Sequence, residues 1–161
     1  MILNKSILPF FLLIILFTGC EGNRIFEQNK KFSDRFWTID ETVVFDFNID
    51  DINQNYNFYF NLRNTLLYPY QNIYLSYSLE DTLGNVYSSD LTNILLFDKK
   101  TGKPMGDGLG DIFDHQYKVI DNYEFNNPGV YRFKIKQYMR MDTLPEIMSV
   151  GLKIDRSIDK K

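Results

Sequence analysis

The sequence is short of the side chains that carry chemistry. Its 161 residues hold one cysteine, Cys20, and one histidine, His115. A lone cysteine excludes an internal disulfide framework. A lone histidine excludes a zinc site built on several histidines. A histidine-activated nucleophile would have to use His115, and no GxSxG-type elbow accompanies it. Cationic surplus is also missing: 18 Lys and Arg stand against 21 Asp and Glu, which argues against nucleic acid as a partner. The apolar run Ile7 to Phe17 has eleven residues and is broken at Pro9, whereas a membrane-spanning helix wants about 20. No segment carries a helical apolar stripe of useful length, and no internal repeat or low-complexity stretch stands out.

What is present begins with that short run. Lys5 and the amino terminus supply positive charge, Ile7 to Phe17 an apolar core, and Thr18 and Gly19 small residues. This is the plan of a secretory signal peptide. The ending LFTGC resembles the bacterial lipobox, with Phe17 standing where leucine is commoner. The resemblance implies cleavage before Cys20 and lipid on its thiol. The expected organisation is a lipoprotein signal over 1–19, a lipidated amino terminus and tether over 20–42, a β-sandwich over 43–156, and a frayed tail over 157–161. Cleavage would remove Lys5 and move the formal charge from -3 to -4, leaving about 142 residues, enough for one domain. Two or more acyl chains give stable membrane anchoring.

Aromatics are abundant, with 11 Tyr and 14 Phe, and both favour strands. Period-two alternation starts at VVFDFNI, where Val43, Phe45, Phe47 and Ile49 share one face. In YNFYFNLR, Tyr56, Phe58, Phe60 and Leu62 alternate with polar partners, and in IYLSYSLE, Ile73, Leu75, Tyr77 and Leu79 do. DTLGN (81–85) predicts a hairpin turn. Asp98 to Gly110 holds five glycines and prolines and predicts a long loop. DIFDHQY predicts a short helix or a bent strand. VYRFKIKQYM and EIMSVGLKIDR close the pattern. Seven or eight short strands predict an all-β, antiparallel sandwich, jelly-roll-like or immunoglobulin-like. The tether carries Phe26, Phe32, Phe36 and Trp37, so its latter half is expected to lie against the domain.

No catalytic residue is predicted. His115 is expected in a loop, satisfied by a nearby backbone group, because a base needs partners as well as its pKa. Asp107, Asp111 and Asp114 lie on a glycine-rich loop, but their spacing is not that of an EF-hand, and turn capping is the expectation over calcium. No metal and no cofactor are expected. Nothing selects two carboxylates for glycosidase chemistry. Tyr59, Tyr68, Tyr70 and Tyr74 are expected on wet faces or loop edges, as anchors for a protein or stacking surfaces for a sugar. Arg63, Arg132 and Arg140 are expected to pair with carboxylates as structural support.

Several stretches then line up: FW (36–37), NLRNxxxYPYxN (61–72), GxGxGDxxD (106–114), QxMR (137–140) and LPEIMSVGLKI (144–154). With the lipoprotein signal, they resemble the GldH gliding-motility lipoprotein family of the Bacteroidetes. The resemblance implies a non-enzymatic envelope lipoprotein supporting gliding or type IX secretion through protein contacts, anchored in the outer membrane by lipid on Cys20. Glu21, Gly22 and Asn23 lack a dense acidic run, so the periplasmic face is expected. The expected contact surface comprises Tyr59, Arg63, Tyr68, Tyr70, Tyr74, Asp107 and Asp111. The alternative is a carbohydrate-binding lipoprotein with a glycan partner, and a lipid-anchored hydrolase using His115 ranks last.

Overall fold

The computed structural model describes residues 22–158. The expected signal peptide, Cys20 and the last three residues lie outside them. The chain forms β1 (Arg24–Lys31), β2 (Phe36–Thr38), β3 (Val43–Ile49), β4 (Asn55–Thr65), β5 (Asn72–Asp81) and β6 (Val86–Leu95). After a long connection come β7 (Asp107–Leu109), β8 (Ile112–Glu124), β9 (Gly129–Gln137), β10 (Thr143–Pro145) and β11 (Ile147–Arg156). Every pairing is antiparallel. One sheet runs β1-β11-β4-β8-β7, a second runs β3-β9-β5-β6, and β2 pairs with β10 as a small ribbon. The molecule is the all-β sandwich expected. Among the described residues, eight strands have seven or more residues and three have three.

Alternation places the two apolar faces together. Val43, Phe45, Phe47 and Ile49 of β3 are buried while their neighbours are exposed. Tyr56, Phe58, Phe60 and Leu62 of β4, and Ile73, Leu75, Tyr77 and Leu79 of β5, are buried as well, although Asn57 and Glu80 between or beside them are also buried. The core is largely aromatic. Phe133 stacks on Tyr77 at 5.2 Å and on Phe58 at 5.6 Å, and Phe125 meets Tyr131 at 4.4 Å. Such ring pairs add about 0.5–1.5 kcal/mol each beyond burial. At one end Trp37 is fully buried, stacks on Phe32 at 5.4 Å, and donates its indole N–H to the Glu41 carbonyl at 2.8 Å.

Three expectations are corrected. The segment expected as a tether contains β1 and β2, and β1 is a full edge strand on β11. It read as a tether because only Ile25 and Phe26 are even half-buried, so backbone pairing and not side-chain burial holds it. Of the two alternatives for DIFDHQY the strand is the one observed, from Ile112 onward in the thirteen-residue β8, with Asp111 in the turn before it. Consequently His115 is a strand residue and not a loop residue. Tyr68, expected to be wet, is 5% exposed. Its backbone N–H closes a turn on the Thr65 carbonyl at 3.2 Å and its hydroxyl donates to the Asn72 carbonyl at 3.1 Å. Its ring lies parallel to Phe97, and burial pushes its hydroxyl pKa up.

Strand direction gives the sandwich two distinct ends. At one end lie Asn23, the 50–54 and 82–85 turns and the last described residues: Arg156 N–H donates to the Asn23 carbonyl and Ser157 N–H to the Asn55 carbonyl, both at 2.7 Å. At the other end lie the connections 66–71, 96–106 and 138–142.

Candidate functional site

The outer face of the five-stranded sheet is polar for the reason its inner face is apolar. In β4 the residues alternating with the buried Tyr56, Phe58, Phe60 and Leu62 are Asn57, Tyr59, Asn61 and Arg63. Glu27, Asn29 and Lys31 of β1, Ser149 of β11 and Gln116 of β8 flank the last two. Together they line a cleft of about 460 Å³ that reaches the sandwich edge at Asp107, Asp114 and His115.

Arg63 and Asp114 are register partners on β4 and β8. The guanidinium donates through Nε to Oδ1 at 2.7 Å and through its terminal nitrogen to Oδ2 at 2.8 Å. Hydrogen bonding to Asp114 raises the Arg63 pKa further, so it stays cationic. Asn61 sits beside this pair. It accepts from Gln116 Nε2 at 3.0 Å and donates to Glu27 Oε1 at 2.9 Å. The second bond crosses β11 entirely. It can do so because Gly151 is the β11 residue opposite both Asn61 and Asn29. A Cβ at Gly151 would run into the Asn29 side chain and the Gln28 carbonyl. The missing side chain therefore lets polar groups on β1 and β4 meet over the floor of the cleft. Further along the face, Tyr59 is flanked by Lys118 at 5.8 Å and Lys153 at 5.1 Å from its ring centre, within cation–π range.

His115 is 9% exposed and its Nε2 has no hydrogen-bond partner. That nitrogen is not satisfied by a backbone group. Gly106 lies against the imidazole so closely that a Cβ there would stand 2.8 Å from Nδ1 and Cε1. Burial lowers the His115 pKa, while Asp114 and Asp107 act in the opposite direction. Among the described residues no group of three or more His, Cys, Asp or Glu is gathered as for a metal ion. Asp114 is committed to Arg63. Asp111 lies in the β7–β8 turn, where its carbonyl accepts from Leu66 N–H at 2.7 Å.

The four tyrosines do not form one platform. Tyr59 lies on the outer face of the five-stranded sheet and Tyr74 is the third residue of β5 in the other sheet. Tyr68 is buried, and Tyr70 meets it edge-on at 5.7 Å and bonds through its hydroxyl to Met141 Sδ. Arg63 and Asp107 are brought together at the cleft. Gln137, a residue sequence reasoning had not singled out by itself, is fully buried. Its Nε2 donates to the Met141 carbonyl at 3.0 Å and its Oε1 accepts from Met139 N–H at 2.8 Å, so it staples the loop carrying QxMR. The Gln–x–Met spacing was visible, but its function as a loop staple required the backbone.

The stretches that carry the family resemblance therefore meet in pairs. NLRN faces the glycine-rich hairpin across Arg63–Asp114, YPY touches the loop after β9 across Tyr70–Met141, and FW pairs with LPE as β2 with β10. Comparison with known proteins agrees. A gliding motility lipoprotein GldH homolog of Christiangramia forsetii is 28% identical over 159 residues, covering 94% of this chain and 96% of that protein. The gliding motility lipoprotein GldH of Flavobacterium johnsoniae is 29% identical over 160 residues, covering 95% and 96%. Among solved structures, the infectious bursal disease virus VP2 subviral particle aligns with a TM-score of 0.35 at 11% identity, over 80% of this chain and 29% of that one. The family model for the GldH lipoprotein matches residues 24–154, from the first residue of β1 to Ile154 near the end of β11, and the chain belongs to that family of membrane-associated, lipid-anchored proteins.

Proposed function

We propose that the chain is a non-enzymatic envelope protein, lipidated on Cys20 at the periplasmic face of the outer membrane. It supports gliding or type IX secretion by binding other envelope proteins through the polar face centred on Asn61, Arg63, Asp114 and Gln116. One observation carries this reading. The polar groups of that face are bonded to one another across four strands, through Arg63–Asp114, Gln116–Asn61 and Asn61–Glu27. Groups fixed in this way make a preorganised recognition surface, which binds with little ordering cost. A reacting nucleophile or base is the opposite case, since it needs an uncommitted partner and a reachable substrate. The relatives' names, gliding motility lipoprotein, point to the same process. The absence of a dense acidic run after Cys20 supports the periplasmic side.

The test is site-specific photo-crosslinking in the native cells, with a photoreactive side chain at Gln116 on the cleft and, as control, at Ser76 on the other sheet. Envelope proteins captured from Gln116 and not from Ser76, and lost when Cys20 is changed to Ala, support the reading. Equal capture from both positions overturns the cleft as the binding face. Recovery of envelope polysaccharide instead of protein would replace it with the carbohydrate-binding alternative.

A further inference from the structure

The chain leaves very little length between the expected lipid and the folded domain. Asn23 is already fixed, its carbonyl accepting from Arg156 N–H, and β1 starts at Arg24. Only three residue steps separate Asn23 from Cys20. At about 3.6 Å per residue they reach no more than about 11 Å. β11 has ten residues and so runs about 33 Å from one end of the sandwich to the other at about 3.3 Å per residue. The lipid therefore reaches only the end of the sandwich where β1 begins.

That end is built to lie on a lipid surface. Leu83, at the tip of the β5–β6 hairpin, is 88% exposed, and Ile158, just past β11, is 82% exposed. Ile52 projects from the β3–β4 turn and Val86 from the hairpin base, both exposed. Neither sheet continues past these residues, so nothing among the described residues covers them. Asp50, Asp51 and Asp81 lie on the same end, which favours zwitterionic over anionic headgroups. Exposed apolar side chains also occur at the opposite end, such as Leu67 at 72%. The tether decides which end meets the bilayer.

We infer that the sandwich stands end-on, with Leu83, Ile52 and Ile158 touching the membrane and the 66–71, 96–106 and 138–142 connections pointing away from it. This rests on lipid at Cys20. Once Cys20 carries lipid the chain has no other thiol, so a single introduced cysteine is labelled uniquely. Leu83→Cys and Leu67→Cys, both in exposed turns, are made in the full chain, purified as lipoprotein and labelled with bimane. Each is then bound to phosphatidylcholine vesicles carrying a headgroup nitroxide quencher. Loss of emission from the label at 83, with none at 67, is the expected result. Equal quenching, or stronger quenching at 67, overturns the end-on orientation. Vesicle flotation keeps the two ideas apart. Wild-type protein that does not float, or Cys20→Ala protein that still does, removes the lipidation reading and this inference with it.

Discussion

Arg63 and Asp114 are 51 residues apart in the chain and form a two-bonded, planar pair, 2.7 and 2.8 Å, on adjacent strands. Both side chains are about half exposed, so the pair orients the cleft more than it stabilises the fold. Exposed ion pairs contribute about 0.2–1 kcal/mol. A double-mutant cycle with Arg63→Ala and Asp114→Ala, followed by urea unfolding, is expected to give a coupling in that range. Loss of partner capture from Gln116 in the same variants, with folding intact, is the expected functional result. A coupling of several kcal/mol would make the pair a structural support.

Gly151 is predicted to tolerate no side chain. A Cβ there meets the Gln28 carbonyl and the Asn29 side chain, so Gly151→Val pushes β1 off β11. The cost is about 1–3 kcal/mol, as for overpacking elsewhere. Hydrogen exchange locates it: protection is lost over Arg24–Lys31 and kept over β9. Uniform loss across the domain would place the strain elsewhere.

Tyr68→Ala is expected to read out folding and not binding. The ring is buried against Phe97 and Tyr70, and removing a buried aromatic costs about 3–5 kcal/mol. Tyr74→Ala, at an exposed position of the other sheet, should change stability by less than about 1 kcal/mol. Thermal unfolding of the two variants separates them.

The pH dependence of stability has a histidine component of fixed sign. Burial holds His115 below its ordinary value of 6.5, so the unfolded chain takes up a proton before the folded one does. The contribution is complete above pH 6.5 and is lost as pH falls below it. Asp46 and Glu80 are also lowered, by hydrogen bonds from Arg132 and Lys134 first, but their ordinary values are 3.8 and 4.5. Their loss therefore comes at lower pH. In His115→Gln the decline nearer neutrality should flatten while the acid limb remains, as followed by chemical denaturation across the pH range. An unchanged upper limb would assign it to another group.

The inner faces of β3, β4, β5 and β9, and of β11 from Val150 to Ile154, were legible because their apolar residues recur at every second position, and such alternation has one physical meaning in a half-buried strand. Two long strands were not. β1 reads as a linker because its edge position asks for backbone pairing and almost no apolar side chains. β8 hides its period because its register on β4 slips twice, between Tyr56 and Phe58 and again between Phe58 and Tyr59. Asn122 takes positive φ near those slips. Each extra residue turns the following side chains to the other face. The cleft was half legible. Arg63 and Asp107 could be named, but Asp114 as the partner of Arg63 depends on register. The Asn61–Glu27 bond depends on an empty place at Gly151 that no local pattern reveals. Tyr68 was misread because a turn tyrosine looks wet until Phe97 is brought beneath it.

The pairing of β1 with β11 also has a mechanical meaning. With lipid on Cys20 and a partner at the far end, as proposed, tension would enter the chain just before Arg24, along the axis of β1, and pull the rest of the sandwich the other way. β1 is then dragged lengthwise past β11, and its cross-strand hydrogen bonds, which lie perpendicular to that pull, are loaded together in shear. They cannot be peeled one by one. A domain tied to a membrane by its first strand in this geometry carries tension without unravelling from its anchored end.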